Sequence, residues 1–453
     1  MALPEMIALR GGVEYRYGAT CDPRVGWRRR VRNGLQLFHA LFGQYVNQRS
    51  LTGGAGDYLR PDGPVRRSLE SQGLTEGAES LPRAQSLMPN SPLAVYVHIP
   101  FCPSKCGYCD FNSYAMTGDI VEQTVAATVR ELETSPFAGR PAKTIFFGGG
   151  TPTYLDEHQL IRVFEAVLRA HPPVEGCEIT SEANPGTVDA EKFGAMRRAG
   201  FNRVSLGAQS FVDEDLIRLD RVHKGGDIER AVKAARIAGF DNLNLDLMFA
   251  LPHQSRQAWQ RNLDRALALA PEHLSLYCLT IEENTAFYKK LIRGQLVLPD
   301  EDDQVAMYEE CMSRMTAEGY VPYEISNFAR PGRECQHNLE YWRGGEYAAY
   351  GPGAVGRVGG SRTTNLKHPR LYCEAVEAGR RPLLETEPLE AETLDVERMI
   401  FGLRLEEGID TGKLERKTID ELVGRGWVEA SSERLKLTRE GRHFHNEVAA
   451  ALM

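Results

Sequence analysis

The stretch His98-Ile-Pro-Phe-Cys102-Pro-Ser-Lys-Cys106-Gly-Tyr-Cys109-Asp-Phe111 places three cysteines at spacings of three and two residues within one short loop. The loop follows the apolar run 93–97, which predicts a β-strand. Three thiolates at this spacing can hold three corners of a cubic iron–sulfur cluster and leave the fourth iron open to chelate a small molecule. The loop therefore predicts redox chemistry.

A structural zinc site is the main alternative, because zinc prefers four Cys or His ligands and His98 could supply the fourth. A disulfide network fits less well, since nine cysteines is an odd number and no secretory signal precedes them. These observations predict a reducing, cytoplasmic location. The remaining cysteines lack ligand-like spacing and are interpreted as ordinary small apolar residues: Cys21, Cys177, Cys278, Cys311, Cys335 and Cys373.

The cysteine motif, followed by Gly148-Gly-Gly-Thr-Pro152, resembles the radical S-adenosylmethionine superfamily. Five further phrases, in the same order, resemble its coproporphyrinogen III oxidase-like branch: Tyr96-Val-His-Ile-Pro-Phe, Ser205-Leu-Gly-Ala-Gln-Ser210, Leu219-Asp-Arg-Val-His223, Asp246-Leu-Met-Phe-Ala-Leu-Pro252 and Tyr323-Glu-Ile-Ser-Asn327. The resemblance runs from residue 91 to the C-terminus. It implies a [4Fe-4S] cluster that transfers an electron to S-adenosylmethionine and releases a 5′-deoxyadenosyl radical.

Length, charge and hydropathy limit the other classes of protein to which the chain could belong. A chain of 453 residues can bury a large core and hold a second domain. Its formal net charge of −8 argues against a nucleic-acid partner reached through bulk electrostatics. No apolar run approaches the roughly 18 residues needed to cross a bilayer, so a soluble or at most peripheral protein is expected.

Residues 1–90 are interpreted as an irregular N-terminal extension, because they are rich in arginine and show no clear helical or strand period. A transit peptide is one alternative, although Glu5, Glu14 and Asp22 disfavour it. Translation that begins at Met88 is the favoured alternative, since Met88-Pro-Asn-Ser-Pro leads directly into the first predicted strand.

From residue 91 to 330, short apolar runs alternate with amphipathic helical segments, which is typical of β-α units around a parallel sheet. Six such units predict an α/β fold, a partial (β/α)6 barrel of the radical S-adenosylmethionine type, as the resemblance also implies. The predicted strands are 93–97, 144–147, 178–182, 203–206, 243–248 and 273–279, and the clearest helices are 121–134, 190–199, 228–238 and 303–318.

Polar residues collect where these strands end, and in barrel folds the carboxyl ends of the strands carry the chemistry. Carboxylates there suit ribose hydroxyls or an amino group, while amide and guanidinium groups suit hydroxyls and carboxylates. The resemblance implies that Gly148, Gly149 and Gly150 approach the methionyl amino group and that Tyr108 packs beside the adenine. The predicted cofactor-binding set is Tyr96, Tyr108, Gly148, Gly149, Gly150, Thr151, Glu182, Gln209, Arg221 and Asp246. Individually, each polar residue is equally consistent with an ordinary surface role, and the glycines with a tight turn.

Two departures from the decarboxylating oxidases bear on function. Phe111 stands where those enzymes typically carry a fourth cysteine. In addition, His337-Asn338-Leu-Glu-Tyr341-Trp342 resembles the His-Asn-x-x-Tyr-Trp signature of a heme chaperone branch. Histidine is a common axial ligand of heme iron, and Tyr341 and Trp342 would offer flat apolar surface to a porphyrin. The alternative is a partly buried structural histidine in the segment 331–382, which is interpreted as a linker.

Residues 383–453 are predicted to form a winged-helix-like domain, with helices at 393–404, 418–424 and 440–452 and a hairpin at 426–429 and 434–438. Acidic residues mixed through it argue against DNA binding, so a lid or interaction domain over the barrel mouth is expected.

Three functions stay open at this stage. The favoured one is a heme chaperone that delivers heme to apoproteins, membrane-associated acceptors among them. The second is an enzyme, an oxygen-independent coproporphyrinogen III oxidase that decarboxylates propionate side chains. A winged-helix DNA-binding regulator with an iron–sulfur sensor is third. The acceptor, the fate of S-adenosylmethionine and the oligomeric state, a homodimer included, are left open.

Overall fold

The computed structural model describes residues 91–453, together with the backbone of two short antiparallel strands, β1 (Ile7–Arg10) and β2 (Val13–Arg16). The other predictions for residues 1–90, the irregular extension and the start at Met88, lie outside the described residues.

Six parallel strands form the centre of the protein and are hydrogen-bonded in sequence order. They are β3 (Leu93–Ile99), β4 (Ala142–Gly149), β5 (Pro173–Ala183), β6 (Arg203–Gln209), β7 (Leu243–Phe249) and β8 (His273–Cys278). The helices between and after them are α1 (Asp119–Glu133), α2 (Glu157–Ala170), α3 (Ala190–Ala199), α4 (Asp213–Arg218), α5 (Gly225–Ile237), α6 (Arg256–Ala268), α7 (Ala286–Ile292) and α8 (Glu301–Ala317). The predicted partial (β/α)6 barrel is confirmed.

The barrel strands have two different faces. Side chains such as Val95, Val97, Ile145 and Phe147 point toward the helices and are buried in the main apolar core. Alternate residues, such as Tyr96, Phe146, Glu182 and Asp246, point inward and are only half-buried. The inner face is therefore partly open, which is where a ligand can be held.

Short strands extend the sheet at both edges to twelve strands. Beside β8 lie β10 (Asn327–Ala329) and β9 (Val321–Pro322), both antiparallel to their neighbours. At the other edge β11 (Tyr347–Tyr350) runs parallel to β3, followed by β12 (Val355–Val358), β13 (Ser361–Asn365) and β14 (Leu383–Pro388). Helices α9 (Gln336–Trp342) and α10 (Pro369–Glu377) complete this region.

The interpretation of 331–382 as a linker is therefore wrong in one respect, because this segment supplies strands to the main sheet. The boundary proposed at 383 falls at the first residue of β14, which pairs with β13. The division into domains otherwise stays a prediction.

The C-terminal module contains α11 (Ala391–Gly402), β15 (Ile409–Asp410), α12 (Arg416–Gly424), β16 (Val428–Ala430), β17 (Arg434–Leu437) and α13 (His445–Leu452). Its three strands form a separate sheet, and its helices bury an apolar core of their own. Helices followed by a hairpin agree with the predicted winged-helix-like pattern.

The expectation that this module covers the barrel mouth is wrong. Among the described residues the module contacts α8, α9, the connection between β9 and β10, and strands β12 and β13. Arg439 pairs with Glu309, Trp342 packs near Phe401, Arg404 pairs with Glu324, and Glu397 pairs with Arg357 and Arg362. Helix α9 itself lies at the start of β4, because His337 contacts Thr144. The cysteine loop follows the opposite end of the barrel strands.

No helix among residues 91–453 is long and apolar enough to span a bilayer.

Candidate cluster and cofactor site

Cys102, Cys106 and Cys109 are free thiols, all half-buried, in the loop after β3. The loop is shaped by backbone hydrogen bonds from Cys109 N–H to the Cys106 carbonyl (3.2 Å) and from Cys102 N–H to the Tyr114 carbonyl (3.1 Å). Two side chains donate to the sulfurs: Thr151 Oγ1 to Cys102 Sγ at 3.5 Å and Arg221 Nη1 to Cys106 Sγ at 3.7 Å. Such donors stabilise thiolate ligands of an iron–sulfur cluster.

Burial raises the pKa of the Cys102 and Cys109 thiols. Without a metal these two groups are therefore protonated near neutral pH, and binding of iron has to displace their protons.

Lys105 holds the far side of the loop together. Its Nζ donates to the carbonyls of Phe111 (2.6 Å) and Ser113 (3.2 Å) and to Ser113 Oγ (3.1 Å). The Phe111 ring is 61% exposed.

His98 is engaged at both ring nitrogens and is not available as a fourth metal ligand. Nε2 lies 2.9 Å from the Asn112 carbonyl, which can only accept, so Nε2 carries the proton. Nδ1 then accepts from the Tyr96 hydroxyl at 3.0 Å. Burial lowers the pKa of His98 to about 4, which keeps it neutral. The zinc alternative therefore loses its fourth ligand, and within residues 91–453 no three His, Cys, Asp or Glu side chains converge as a single-ion site requires.

The glycine run after β4 forms a cradle that side chains would fill. A Cβ on Gly150 would lie 2.6 Å from the Phe101 carbonyl oxygen, and Gly149 has a φ of 105°, which favours glycine. Gly149 N–H donates to Glu182 Oε2 at 3.3 Å. This geometry brings backbone without side chains next to the half-buried carboxyl group of Glu182.

Two inward-facing carboxyl groups lie close enough to influence each other. Burial, and then the charge of Asp246, raises the pKa of Glu182 to about 8. Burial also raises the pKa of Asp246, although Ser205 and Asn244 donate to it at 3.0 and 2.8 Å. A cationic or polyhydroxyl ligand would reduce the repulsion between the two carboxylates. The amino group and the ribose of S-adenosylmethionine have this chemistry.

The other predicted cofactor residues lie around the same end of the barrel. Gln209 ends β6 with a φ of 64°, which is a strained conformation for a residue with a side chain. Arg221 donates from Nη2 to the Gly207 carbonyl at 2.7 Å, while its buried Nε has no hydrogen-bond partner among the described residues. Tyr108 packs edge-on against Phe287, with ring centroids 6.3 Å apart.

The predicted heme motif occupies a different place, at the start of the barrel strands. His337 is 1% exposed and stacks on Phe146 with ring centroids 5.0 Å apart. Nδ1 lies 2.8 Å from Thr144 Oγ1, and Nε2 lies 3.1 Å from the Tyr341 hydroxyl. Burial lowers the pKa of His337 to about 3. The histidine therefore closes the barrel floor in this structure, with both nitrogens occupied.

The aromatic residues of the motif are packed as well. Tyr341 contacts the Tyr347 ring edge-on at 4.5 Å, and the Arg404 guanidinium lies 4.6 Å from the Trp342 ring centroid. Asn338 is half-buried on α9. The motif thus joins the barrel floor to the C-terminal module, and its role toward heme stays a prediction.

Several residues of the site were not predicted from sequence. Asn112 ties the cysteine loop to the C-terminal extension of the sheet, because its Nδ2 donates to the carbonyls of Pro352 (3.0 Å) and Lys367 (3.1 Å). Glu178 accepts from the backbone N–H groups of Gln336 (3.2 Å) and His337 (3.1 Å) and so caps α9.

Three thiols in one loop, two side chains that donate to the sulfurs, a glycine cradle and two neighbouring half-buried carboxyl groups fit a [4Fe-4S] cluster with S-adenosylmethionine beside it. Residues 96–266 match the model of the radical SAM superfamily, and this fold and site define a radical SAM protein. The coproporphyrinogen III oxidase HemN from Escherichia coli, described as a radical SAM enzyme, shares the fold with a TM-score of 0.72 at 24% identity, over 82% of this chain and 92% of that one.

Curated relatives define the family more narrowly. The heme chaperone HemW of Escherichia coli is 39% identical over 370 residues, which are 79% of this chain and 97% of that protein. HemW of Bacillus subtilis is 37% identical over 374 residues, 80% of this chain and 99% of that protein. The chain belongs to the HemW heme chaperone family.

Proposed function

We propose that this protein binds heme and transfers it to apoproteins, while carrying a [4Fe-4S] cluster and S-adenosylmethionine. The observation that carries the proposal is its similarity to heme chaperones over 97–99% of their length at 37–39% identity. The fold shared with HemN supports only the architecture, and Phe111 supplies no thiol at the position of the oxidases' fourth cysteine.

In this proposal Cys102, Cys106 and Cys109 hold the cluster, and Thr151 and Arg221 stabilise the sulfurs through their hydrogen bonds. When bound and reduced, the cluster supplies an electron to S-adenosylmethionine. Gly148 to Gly150, Glu182 and Asp246 receive the amino group and ribose. Tyr96, Tyr108 and Gln209 complete the lining.

His337 is the proposed axial ligand of heme iron, and its surroundings set a condition on that role. Because both ring nitrogens are hydrogen-bonded, ligation requires that the bond to Thr144 or to Tyr341 be given up. A lost hydrogen bond of this kind costs about 1 kcal/mol, which is small beside a metal–ligand bond. Exposure of the buried His337 side chain is the larger change, so heme loading is expected to be slow.

The cellular setting belongs to the same proposal. Free thiols that serve a cluster need a reducing compartment, which supports the cytoplasm. The partners are heme and heme-accepting apoproteins, membrane-associated ones included, with no nucleic acid. A homodimer is compatible with the proposal and is not required by it.

The test is hemin binding by anaerobically reconstituted protein, followed by Soret absorption and by retention of heme through gel filtration. The proposal predicts stoichiometric retention by the parent and a shifted or lost Soret band in His337→Ala. Tyr341→Phe, which keeps the ring and frees Nε2, is the matched variant and should load heme faster than the parent. If the parent retains no heme and instead converts coproporphyrinogen III with S-adenosylmethionine and reductant, the oxidase alternative replaces the proposal.

A further inference from the structure

Arg203 is a buried cation on the inner face of the barrel with few partners. Its side chain is 2% exposed, and its ion pair with Glu178 is long, 3.9 Å from Nε to Oε2. Nε has no hydrogen-bond partner among residues 91–453. Glu178 is already used, because it accepts from Cys335 Sγ and from two N–H groups of α9. A buried guanidinium normally has its donors satisfied, so this one is arranged for an acceptor that the chain does not supply.

Thr180 is the second unsatisfied group at the same level of the barrel. It pairs with Arg203 in the register of β5 and β6, so both side chains point to the same face. Thr180 is fully buried, and its Oγ1 has no hydrogen-bond partner among the described residues. Arg203 Nε and Thr180 Oγ1 are adjacent donors without acceptors, which indicates a binding site for an anion. A planar carboxylate can accept two parallel hydrogen bonds from a guanidinium group.

The aromatic rings of Phe146 and Tyr96 form a flat apolar surface beside Thr180 on the inner face of the barrel. Across the sheet, Arg203 pairs with Thr180, Thr180 pairs with Phe146, and Phe146 pairs with Tyr96. The rings of Phe146 and Tyr96 stack with centroids 6.3 Å apart and an interplanar angle of 27°. Both rings are half-buried, and Tyr277 on the opposite side of the inner face is 40% exposed. A ligand that carries an aromatic plane and a carboxylate matches this lining.

We propose that Arg203, with Thr180 beside it, binds a propionate carboxylate of heme inside the barrel, with the porphyrin against Tyr96 and Phe146. This inference rests on the proposed heme-binding function. It deepens that function, because it assigns a residue that recognises the ligand's carboxylate. The His337 ring lies 5.0 Å from Phe146 and 6.4 Å from Tyr96 between ring centroids, so this lining is adjacent to the proposed iron ligand.

The carboxylate of S-adenosylmethionine is the other source of such an anion, and the position of Arg203 disfavours it. Arg203 begins β6 and Gln209 ends it, so about 20 Å of strand separates the two. The cysteine loop, through Arg221 and Cys106, lies at the Gln209 end. A methionyl carboxylate held at the cluster is therefore far from the Arg203 backbone.

The experiment compares hemin with hemin dimethyl ester, in which both propionates are neutral, using reconstituted full-length protein. The parent should bind hemin roughly ten- to a hundred-fold more tightly than the diester, since a charge-assisted pair is lost in the ester. In Arg203→Gln this preference should fall to about one while diester affinity stays constant. Thr180→Val, which removes no hydrogen bond of the free protein, should reduce the preference a few-fold. Arg140→Gln, another buried arginine, which precedes β4 and binds the Ser91 carbonyl and Glu346, is the control and should keep the parent's preference.

Several outcomes overturn the inference. If the parent binds hemin and the diester equally well, the carboxylate site is overturned and the heme-binding function stands. If the parent binds neither compound, the carboxylate site and the heme-binding function are both overturned. A full preference in Arg203→Gln places carboxylate recognition elsewhere. If S-adenosylmethionine affinity falls in that variant while the hemin preference persists, the anion is the methionyl carboxylate. Should Arg203→Gln fail to hold its cluster and fold, Thr180→Val decides: a reduced preference supports the site and an unchanged one overturns it.

Discussion

The pair Glu324–Arg404 connects the barrel to the C-terminal module and gives a prediction whose size follows from the contacts. Glu324 is fully buried, and its Oε2 accepts from Arg404 Nη2 at 2.8 Å and from Nε at 3.2 Å. Its other oxygen accepts from Ser326 N–H and from Asn327 Nδ2, both at 2.7 Å. The Arg404 side chain is 12% exposed and covers Trp342.

Arg404→Met leaves the Glu324 carboxylate buried with two hydrogen bonds and without the guanidinium that pairs with it. Removal of one partner of a buried ion pair costs about 3–5 kcal/mol, and the two remaining donors place this case at about 3 kcal/mol. Methionine keeps much of the aliphatic stem over Trp342, so little of the loss is packing. Glu324→Gln should cost a similar amount, because the amide NH2 has to face donors, either the guanidinium or Ser326 N–H and Asn327 Nδ2. The loss in free energy of unfolding of the double variant should be about 2 kcal/mol smaller than the sum of the losses of the two single variants.

The assay is a double-mutant cycle by urea unfolding under anaerobic conditions, with tryptophan fluorescence as the signal. The exposed pair Arg343–Glu407, also bidentate at 3.0 and 3.1 Å, connects α9 to the same module and provides the control cycle. Its coupling should stay below about 1 kcal/mol because solvent screens it. A coupling for Glu324–Arg404 no larger than that of the exposed pair would refute the reasoning.

Three further predictions concern the site. Cys106→Ser should abolish the visible absorption of the reconstituted cluster, whereas Cys278→Ser, outside the loop, should keep it; equal absorption would remove the ligand assignment. Because burial raises the pKa of Glu182 to about 8, its carboxyl is mostly protonated at neutral pH and has to ionise to pair with an ammonium group. S-adenosylmethionine affinity, measured by equilibrium dialysis, should therefore rise up to about tenfold per pH unit below 8 and level off above it, and Glu182→Gln should remove this dependence. Asn112→Ala deletes three side-chain hydrogen bonds that fix the cysteine loop, so a chelator should bleach its cluster several-fold faster than the parent's; an unchanged rate would show that the loop holds its shape without them.

The centre of the fold was predictable because each barrel strand has a local signal. Buried parallel strands form continuous apolar runs, and amphipathic helices of ten or more residues separate them. The edge strands carry no such signal. Val321–Pro322 and Asn327–Ala329 are two and three residues long, and Tyr347–Tyr350 pairs with β3, about 250 residues earlier in the chain. Their formation depends on partners that local periodicity does not reveal, which explains the mistaken linker at 331–382.

The residues of the candidate site also fall into two groups, those with a local sequence signal and those whose role depends on distant partners. The cysteines and glycines were identified because their spacing within one loop is itself the signal. His98 was weighed as a zinc ligand, since sequence alone does not show that Asn112 and Tyr96 occupy both nitrogens. Arg203 was missed although a signal existed: a charged residue begins a strand that is otherwise uncharged. His337 was placed in a loop by sequence, whereas burial against Phe146 and capping of α9 by Glu178 depend on residues more than 150 positions away.

The most direct test of the central claim is heme transfer. Protein loaded with one equivalent of heme and freed of excess is mixed with an apoprotein that binds heme of the b type, and the two are separated. If the protein is a heme chaperone, the acceptor gains its Soret band and activity, the loaded protein loses heme in equal amount, and the rate depends on the concentration of both proteins. Heme that stays on the protein, or that reaches the acceptor only at the rate of its spontaneous release, would contradict the chaperone function.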